Sequence, residues 1–431
     1  MAAEKKVKKG GNIFAAVGAA TGLGNAFRFP ALCLEYGGAF IIAYAVCLIF
    51  ICFPLLCAEL HFGGAKQGAK GAKFWRAVMR LAAVNSALIA LYYGVIAAKM
   101  GGACLSFAVF SRPGEGEDGA LFVLAFAAVA AAVFCVLRGG ARSLSRSGKL
   151  SVILSLALFS CLAAAGIFCG RRALSFKFAP LSGGAVWADA LGQSLLALSL
   201  AAGVMPDFAR AQGVTKVKST AARIIAANFC GCILALLSTI PFVSEFPAGG
   251  GVTCALTVYP QVVSAVAGEG GFARVLGTVL YAVLAVVAIH SLCSLAKPLV
   301  AAVNFRRASA AFVALMVACA PLFLADGMQA LSACDRMACS VCSVLIAFAE
   351  CVYFLFSKGL TGAVKLFIRT VCPITCGALA LFSLCSARFN CFAPFSSACA
   401  YVWLAAVVAA GVIPLLPIKK NYYNILQFIS K

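Results

Sequence analysis

Residues 18–30 read GAATGLGNAFRFP. They lie inside an apolar stretch, 12–34, that is long enough to cross a bilayer. Into that stretch they bring Gly22, Gly24, Asn25, Arg28 and Pro30. Glycine in a membrane helix often serves only close packing. Asn25 and Arg28 serve no such purpose, and an intramembrane arginine is costly enough to mark a functional site. Unwound backbone at membrane depth survives only where protein or water satisfies its free N–H and C=O groups. The reading is a helix broken around a site.

A second stretch, LALSLAAGVMPDF at 196–208, has a similar make-up, with Ser199, Gly203 and Pro206. Here close packing and a break stay equally open. The two stretches fall in the first and sixth apolar spans. Matching interruptions in corresponding halves point to an internal inverted repeat with its binding site at the breaks.

The chain around them is 64% hydrophobic and 11% charged over 431 residues. That composition belongs to a polytopic membrane protein. About twelve apolar spans are expected: 12–34, 38–62, 76–110, 119–138, 149–169, 185–209, 222–243, 275–304, 308–325, 333–357, 366–386 and 396–417. The fold class is all-α and integral to the membrane. The expected organisation is a basic cytoplasmic N-terminus (1–11), a first repeat (12–170) and a second, inverted one (185–357). Two further helices (366–418) and a cytoplasmic C-terminus (419–431) follow.

A net charge of +22 would suit a nucleic-acid partner, but the basic residues follow loop parity rather than forming one block. Lys5, Lys6, Lys8 and Lys9, then Lys66 to Arg80, Arg138 to Lys149, Arg210 to Arg223, and Lys419 and Lys420 fall on one side. Glu115, Glu117, Asp118, Glu245, Glu269 and Asp326 fall on the other. This bias puts both termini inside an inner, plasma membrane and excludes nucleic acid as the partner. The N-terminal apolar stretch is too long and too polar at Asn25 and Arg28 for a signal peptide. The 22 cysteines are scattered through apolar helices. Cys339 and Cys342 form one CxxC without a second pair, so they read as buried thiols. Nothing resembles a nucleophile–base pair, a phosphate loop or a metal cluster, so an enzyme is not expected.

The residues resemble the neurotransmitter:sodium symporter family. The most specific match is 18–44, running into EYGGAFIIAY (35–44), followed by PLLCAEL (54–60). LYYGVIAAK (91–99), RGGARSLSRSGKL (138–150), VWADALGQSLLALSL (186–200), Asn228, Ser291 and LSACD (331–335) are similar to later family blocks. This family is itself a type case of broken-helix transporters. The resemblance implies twelve helices, with the first and sixth broken, and sodium-driven uptake of an amino acid or related solute by alternating access.

Residue by residue, the resemblance implies an outer gate of Arg28 with Asp335, assisted by Gln193. It implies a substrate carboxylate at the break, held by the N–H groups of Leu23 and Gly24 and by Tyr93. A half-helix N-terminus favours such an anion. Gly22 leaves room for that carboxylate. The amino group would face Ala20, Leu196, Ala197 and Ser199. Leu196 and Ala202 stand where the family usually has aromatic rings, which implies a wider pocket for a bulky apolar or aromatic side chain. Ile89, Leu295 and Ser291 would complete it.

A first sodium site would retain Ala20, Asn25, Ala197 and Asn228, without the family's threonine hydroxyl. A second would retain Gly18, Thr21, Val287 and Ser291, but His290 replaces its threonine. A neutral imidazole is a poor ligand for a hard cation. His290 therefore raises an alternative, proton-coupled or uncoupled transport, alongside a core histidine with a hydrogen bond. The family's inner gate is incomplete here, with Phe305 in place of an acid, followed by Arg306 and Arg307. That motivates a third reading, an amino acid sensor that does not transport. A chloride site is not expected: Tyr44, Gln193 and Asn228 are present, but Cys232 takes a ligand position. Lys99 and Lys297 depart from the pattern and could snorkel or pair with Glu59 or Glu350.

Overall fold

The computed structural model describes residues 14–20, 22–64, 72–110, 119–169, 181, 183–242, 254–303, 307–357, 359–386 and 392–412. Among these the regular structure is entirely helical. The chain opens with α1 (Phe14–Ala20), α2 (Leu23–Ala26) and α3 (Arg28–Tyr36), then α4 (Gly38–Cys47) and α5 (Phe53–Gly64). Next come α6 (Ala72–Phe110), α7 (Gly119–Arg138), α8 (Gly140–Cys169), α9 (Gly184–Ala197), α10 (Val204–Gln212) and α11 (Val217–Leu237). After them run α12 (Cys254–Ala267), α13 (Gly271–Ala302), α14 (Ala308–Met337) and α15 (Ser343–Leu355). The last are α16 (Gly362–Arg369), α17 (Val371–Cys385) and α18 (Pro394–Val412).

Nine helical runs among the described residues are long and apolar enough to cross a membrane. The two interrupted helices, α1–α3 and α9–α10, and the shorter apolar α18 bring the pattern to the twelve spans expected. The burial of the runs sorts them. The most apolar window of 73–110 is 83% buried and that of 271–302 is 72% buried, against 22% for 119–138 and for 308–325. The first two therefore form the centre, and α6 and α13 lie along each other there. The other two turn apolar faces outward, as surfaces against lipid do.

Both interruptions are real, and several of their freed backbone groups have partners elsewhere in the fold. At the first, the Asn25 N–H reaches only to the Gly22 carbonyl (3.1 Å). The Ala26 carbonyl receives the Tyr259 hydroxyl from α12 (2.7 Å). At the second, residues 198–203 join α9 to α10. Ser199 and Ala201 both have φ of 52° and Gly203 has 73°. Such angles are rare for residues with a Cβ and persist only when the surroundings impose them. The surroundings are polar side chains from elsewhere. The Ala201 N–H donates to Glu59 Oε1 (2.8 Å), and the Ala202 carbonyl accepts from Ser86 Oγ (2.7 Å).

The structure departs from the expected spans in three places. Helix continues from 308 to 337, and the turn between the expected ninth and tenth spans is marked by Gly327 (φ 61°) and Met328 (φ 70°). Two spans contain a π-helical turn, Leu48–Cys52 and Ala338–Cys342, which hydrophobic periodicity does not signal. The stretch between the seventh and eighth expected spans holds α12 in its described part.

Candidate functional site

The two breaks face each other, and the polar residues of the sequence gather there. Arg28, the first residue of α3, is 4% exposed. Its Nε lies 3.3 Å from Asp335 Oδ2 on α14, and a terminal nitrogen donates to Gln193 Oε1 on α9 (3.3 Å). Gln193 Nε2 in turn donates to the Gly24 carbonyl (3.2 Å). Asp335 Oδ1 accepts from the Tyr92 hydroxyl (2.7 Å). A buried arginine holds only where its charge is matched and its donors are used. Here the Asp335 carboxylate matches the charge, it and the Gln193 amide take guanidinium donors, and Tyr92 holds the carboxylate.

A second carboxylate stands beside this pair, and the sequence reading missed it. Asp189 on α9 is 5% exposed. It accepts from the Tyr36 hydroxyl at the end of α3 (2.7 Å) and from Ser340 Oγ in the π-helical turn (3.0 Å). It also acts on the Arg28 charge. The acid in VWADALGQ was visible as an intramembrane charge, but nothing local named its partners.

Below the gate lies a small cavity lined by Gly22, Gly24, Asn25, Tyr93, Leu196, Ala197, Ser199, Ser291, Ser294 and Leu295. Its free volume is about 10 Å³, room for roughly one water. Eight of the expected substrate positions line it, and Ser294 joins them unforeseen. Ile89 is buried on α6 but is not among the lining residues. Ala202 turns its carbonyl to Ser86 instead, so only one of the two absent rings bears on the cavity. The closed walls leave no wide apolar chamber. Thr21 and the side chain of Leu23 lie outside what is described.

The first expected ion position brings Ala20, Asn25 and Asn228 together. The Ala20 carbonyl accepts from Asn25 Nδ2 (3.2 Å) and Asn228 Nδ2 (2.6 Å). Asn228 Nδ2 also approaches Asn25 Oδ1 (3.5 Å), and Tyr44 donates to Asn228 Oδ1 (2.6 Å). Two oxygens, the Ala20 carbonyl and Asn25 Oδ1, thus lie close together around Asn228 Nδ2, and oxygens are the hard donors an alkali cation takes. Asn228 would present its oxygen there by an amide flip. Cys232 sits 3.5 Å from the Tyr44 hydroxyl, while Gln193 is engaged at the gate.

The second ion position is different. Ser147 on α8 pairs with His290 Nδ1 (2.9 Å). His290 Nε2 is buried without a hydrogen-bond partner and lies against α1, where a Cβ added to Gly18 would be 2.9 Å from it. Val287 and Ser291 flank it on α13, both buried. The imidazole therefore stands against Gly18, one of the residues expected at a second ion position.

The remaining charges have their own surroundings. Lys99 lies over the Phe122 ring, 5.8 Å from its centre. Lys297 has Asp207 as its charged neighbour. Those two glutamates, both 0% exposed, face each other. Cys339 and Cys342 are buried free thiols. Among the described residues no group of histidine, cysteine and acid could hold a metal. Phe305 and Arg306 lie outside the described residues.

Fold and site together define a multi-pass helical membrane protein with a closed polar pocket between two broken helices and a buried ion pair above it. Residues 4–111 match the model of the Sodium:neurotransmitter symporter family. Over 93 residues the chain is 40% identical to the sodium- and chloride-dependent transporter XTRP3A of Mus musculus, covering 20% of this chain and 15% of that one. It is 39% identical over 106 residues to the sodium- and chloride-dependent glycine transporter 1 of Xenopus laevis, covering 23% and 16%. Over 95 residues it is 40% identical to the inactive sodium-dependent neutral amino acid transporter B(0)AT3 of Homo sapiens, covering 20% and 15%. The matched stretch is thus a small part of these relatives' length. The fold is similar to that of MhsT, solved in complex with L-phenylalanine, with a TM-score of 0.76 at 21% identity, over 89% of this chain and all of that one. Over residues 4–111 the chain is thus similar to the Sodium:neurotransmitter symporter family. That family is one of transporters, not of enzymes.

Proposed function

We propose that this protein carries an amino acid across the plasma membrane by alternating access, driven by sodium, with its termini in the cytoplasm. The single observation that carries the reading is the meeting of Ala20, Asn25 and Asn228 beside the cavity that Gly22, Gly24 and Tyr93 line. An ion and a carboxylate bound there share the same broken helix, so each favours the closure that the other needs. Sodium is cargo in this scheme. The substrate's carboxylate takes the Leu23 and Gly24 N–H groups and the Tyr93 hydroxyl, and its side chain rests on Leu196 and Leu295. A bulky apolar side chain suits those two leucines once the walls part. The related glycine and neutral amino acid transporters fall in the same substrate class. Arg28 and Asp335 close the site outward, and the 12–170 and 185–357 segments act as inverted repeats.

A second reading, with one sodium or none and a proton in its stead, is favoured by His290 standing against Gly18. The deciding experiment is uptake of labelled amino acids into proteoliposomes, with a sodium gradient against a proton gradient. Accumulation with sodium alone supports the main reading, and accumulation with protons alone supports the second. Binding without accumulation under either gradient overturns both and leaves a sensor.

A further inference from the structure

Pro30 leaves a gap in the first broken helix. In an α-helix each carbonyl accepts from the N–H four residues further on. For the Ala26 carbonyl that residue is Pro30, and proline has no N–H. The next bond of the same register is made, from the Ala31 N–H to the Phe27 carbonyl (3.2 Å). The proline step is thus one that the register cannot make. Ala26 and Phe27 are each 1% exposed, too deep for bulk water to serve as the donor. A buried carbonyl left without a donor costs as much as a lost hydrogen bond.

The donor comes from a helix outside the expected spans. Tyr259 lies on α12, and its hydroxyl donates to the Ala26 carbonyl at 2.7 Å, across 233 residues of chain. The side chain is 1% exposed, and its ring centre lies 6.5 Å from that of Phe159 on α8. Val258, Val262 and Val263 are buried beside it, on a helix that packs against α13 and α6. A buried tyrosine needs a partner for its hydroxyl, and a carbonyl orphaned by proline needs a donor. Ala26 stands between Asn25, at the first ion position, and Arg28, in the buried ion pair. We propose that Tyr259 is a positioning residue for the site. It takes the place of the N–H that Pro30 lacks, and so fixes the turn that sets Asn25 and Arg28 relative to each other. It acts through the Ala26 carbonyl and touches neither ion nor substrate. The consequence for binding rests on the transport reading, whereas the replacement of the missing donor does not.

The test uses Y259F in the purified full chain, which keeps the ring and removes only the hydroxyl. Its counterpart is P30A, which restores an N–H at position 30. Hydrogen–deuterium exchange needs no ligand. Exchange at the amides of residues 24–29 should rise about fivefold in Y259F, the effect of one net hydrogen bond. P30A/Y259F should recover most of that protection, and P30A alone should stay near the wild type. Binding is read with labelled L-leucine and L-phenylalanine at graded sodium. In Y259F, release of the amino acid should quicken and the sodium concentration for half-saturation should rise, each by about the same factor. Both should return towards the wild type in P30A/Y259F, a rescue that a hydroxyl serving only the packing of α12 would not show. If Y259F does not fold, P30A/Y259F should, and its failure as well overturns the proposal. Unchanged exchange in Y259F, or an equal change with and without P30A, also overturns it. So does rescued exchange with normal release and sodium dependence, because the bond then holds the fold and not the site. Rescued exchange in a wild type that binds neither amino acid at any sodium concentration would sink the transport reading and keep Tyr259 as the donor that Pro30 lacks.

Discussion

The ring of His290 and the backbone of Gly18 are in contact across α13 and α1, so that even one methyl group on Gly18 would meet the imidazole nitrogen at 2.9 Å. The same methyl would lie 2.9 Å from Gly148 Cα on α8. Three helices converge on a point with no slack. Replacing His290 by threonine removes the ring and supplies a hydroxyl oxygen, a donor that an alkali cation accepts. The sodium dependence of uptake should then steepen from hyperbolic towards sigmoidal. An unchanged curve in H290T would mean that the imidazole is not what blocks the second position. G18A should lower stability by about 1–3 kcal/mol, the usual cost of overpacking, read as a lower melting temperature.

Removing one partner of a buried ion pair costs more than the pair contributes, about 3–5 kcal/mol, because the other charge is left uncompensated. D335N should therefore destabilise the closed arrangement strongly and speed release of bound substrate. Asp189 gives Arg28 a second negative neighbour, so D335N should still fold, whereas D335N/D189N should not give a monodisperse protein. R28K should behave like a loss, since an ammonium cannot bridge Asp335 and Gln193 as a guanidinium does. Dissociation of a labelled ligand, measured for each variant, checks the order.

Ser340 and Tyr36 each donate one hydrogen bond to Asp189. Y36F and S340A should each weaken the closed state by about 1 kcal/mol, and S340T should restore the bond. If both act through Asp189, their effects should vanish in a D189A background. A double-mutant cycle on ligand residence time would reveal it. Full additivity would show that the two hydroxyls do not work through this acid.

Glu59 and Glu350 bring together oxygens that lack donors: Glu59 Oε2 and both Glu350 oxygens. A glutamine at 350 supplies N–H groups to that neighbourhood without changing the shape. E350Q should melt at the same temperature as the wild type or higher. E59A, which strips the Ala201 N–H of its acceptor, should cost about 1–3 kcal/mol as an unsatisfied buried donor. A lower melting temperature for E350Q would contradict this account.

Much of this was legible in the chain. The break at 18–30 announces itself because Asn25 and Arg28 violate the rule for a membrane helix, and a violated rule points to a site. The second break was ambiguous for a physical reason. Its strained residues, Ser199 and Ala201, are ordinary in composition, and what holds them open is Glu59 and Ser86 from distant helices. Asp189 was readable as a charge but not as a hub, because its donors lie about 150 residues away on either side. The pocket size escaped the sequence altogether. Counting missing rings at Leu196 and Ala202 gives a volume only if the walls stay put, and here they close in.

The π-helical turn at Ala338–Cys342 sets the phase between two layers of the tenth span. Asp335, before it, serves the outer closure, and Glu350, after it, serves the buried glutamates. An α-helix turns about 100° per residue, and a π-turn amounts to one residue inserted into such a helix. Deleting a single residue there would leave every other side chain chemically intact and the helix more regular. It would also turn Asp335 away from Arg28 while Glu350 kept its place. The irregular turn thus works as a phase plate, and chemistry at two depths depends on that one extra residue being kept.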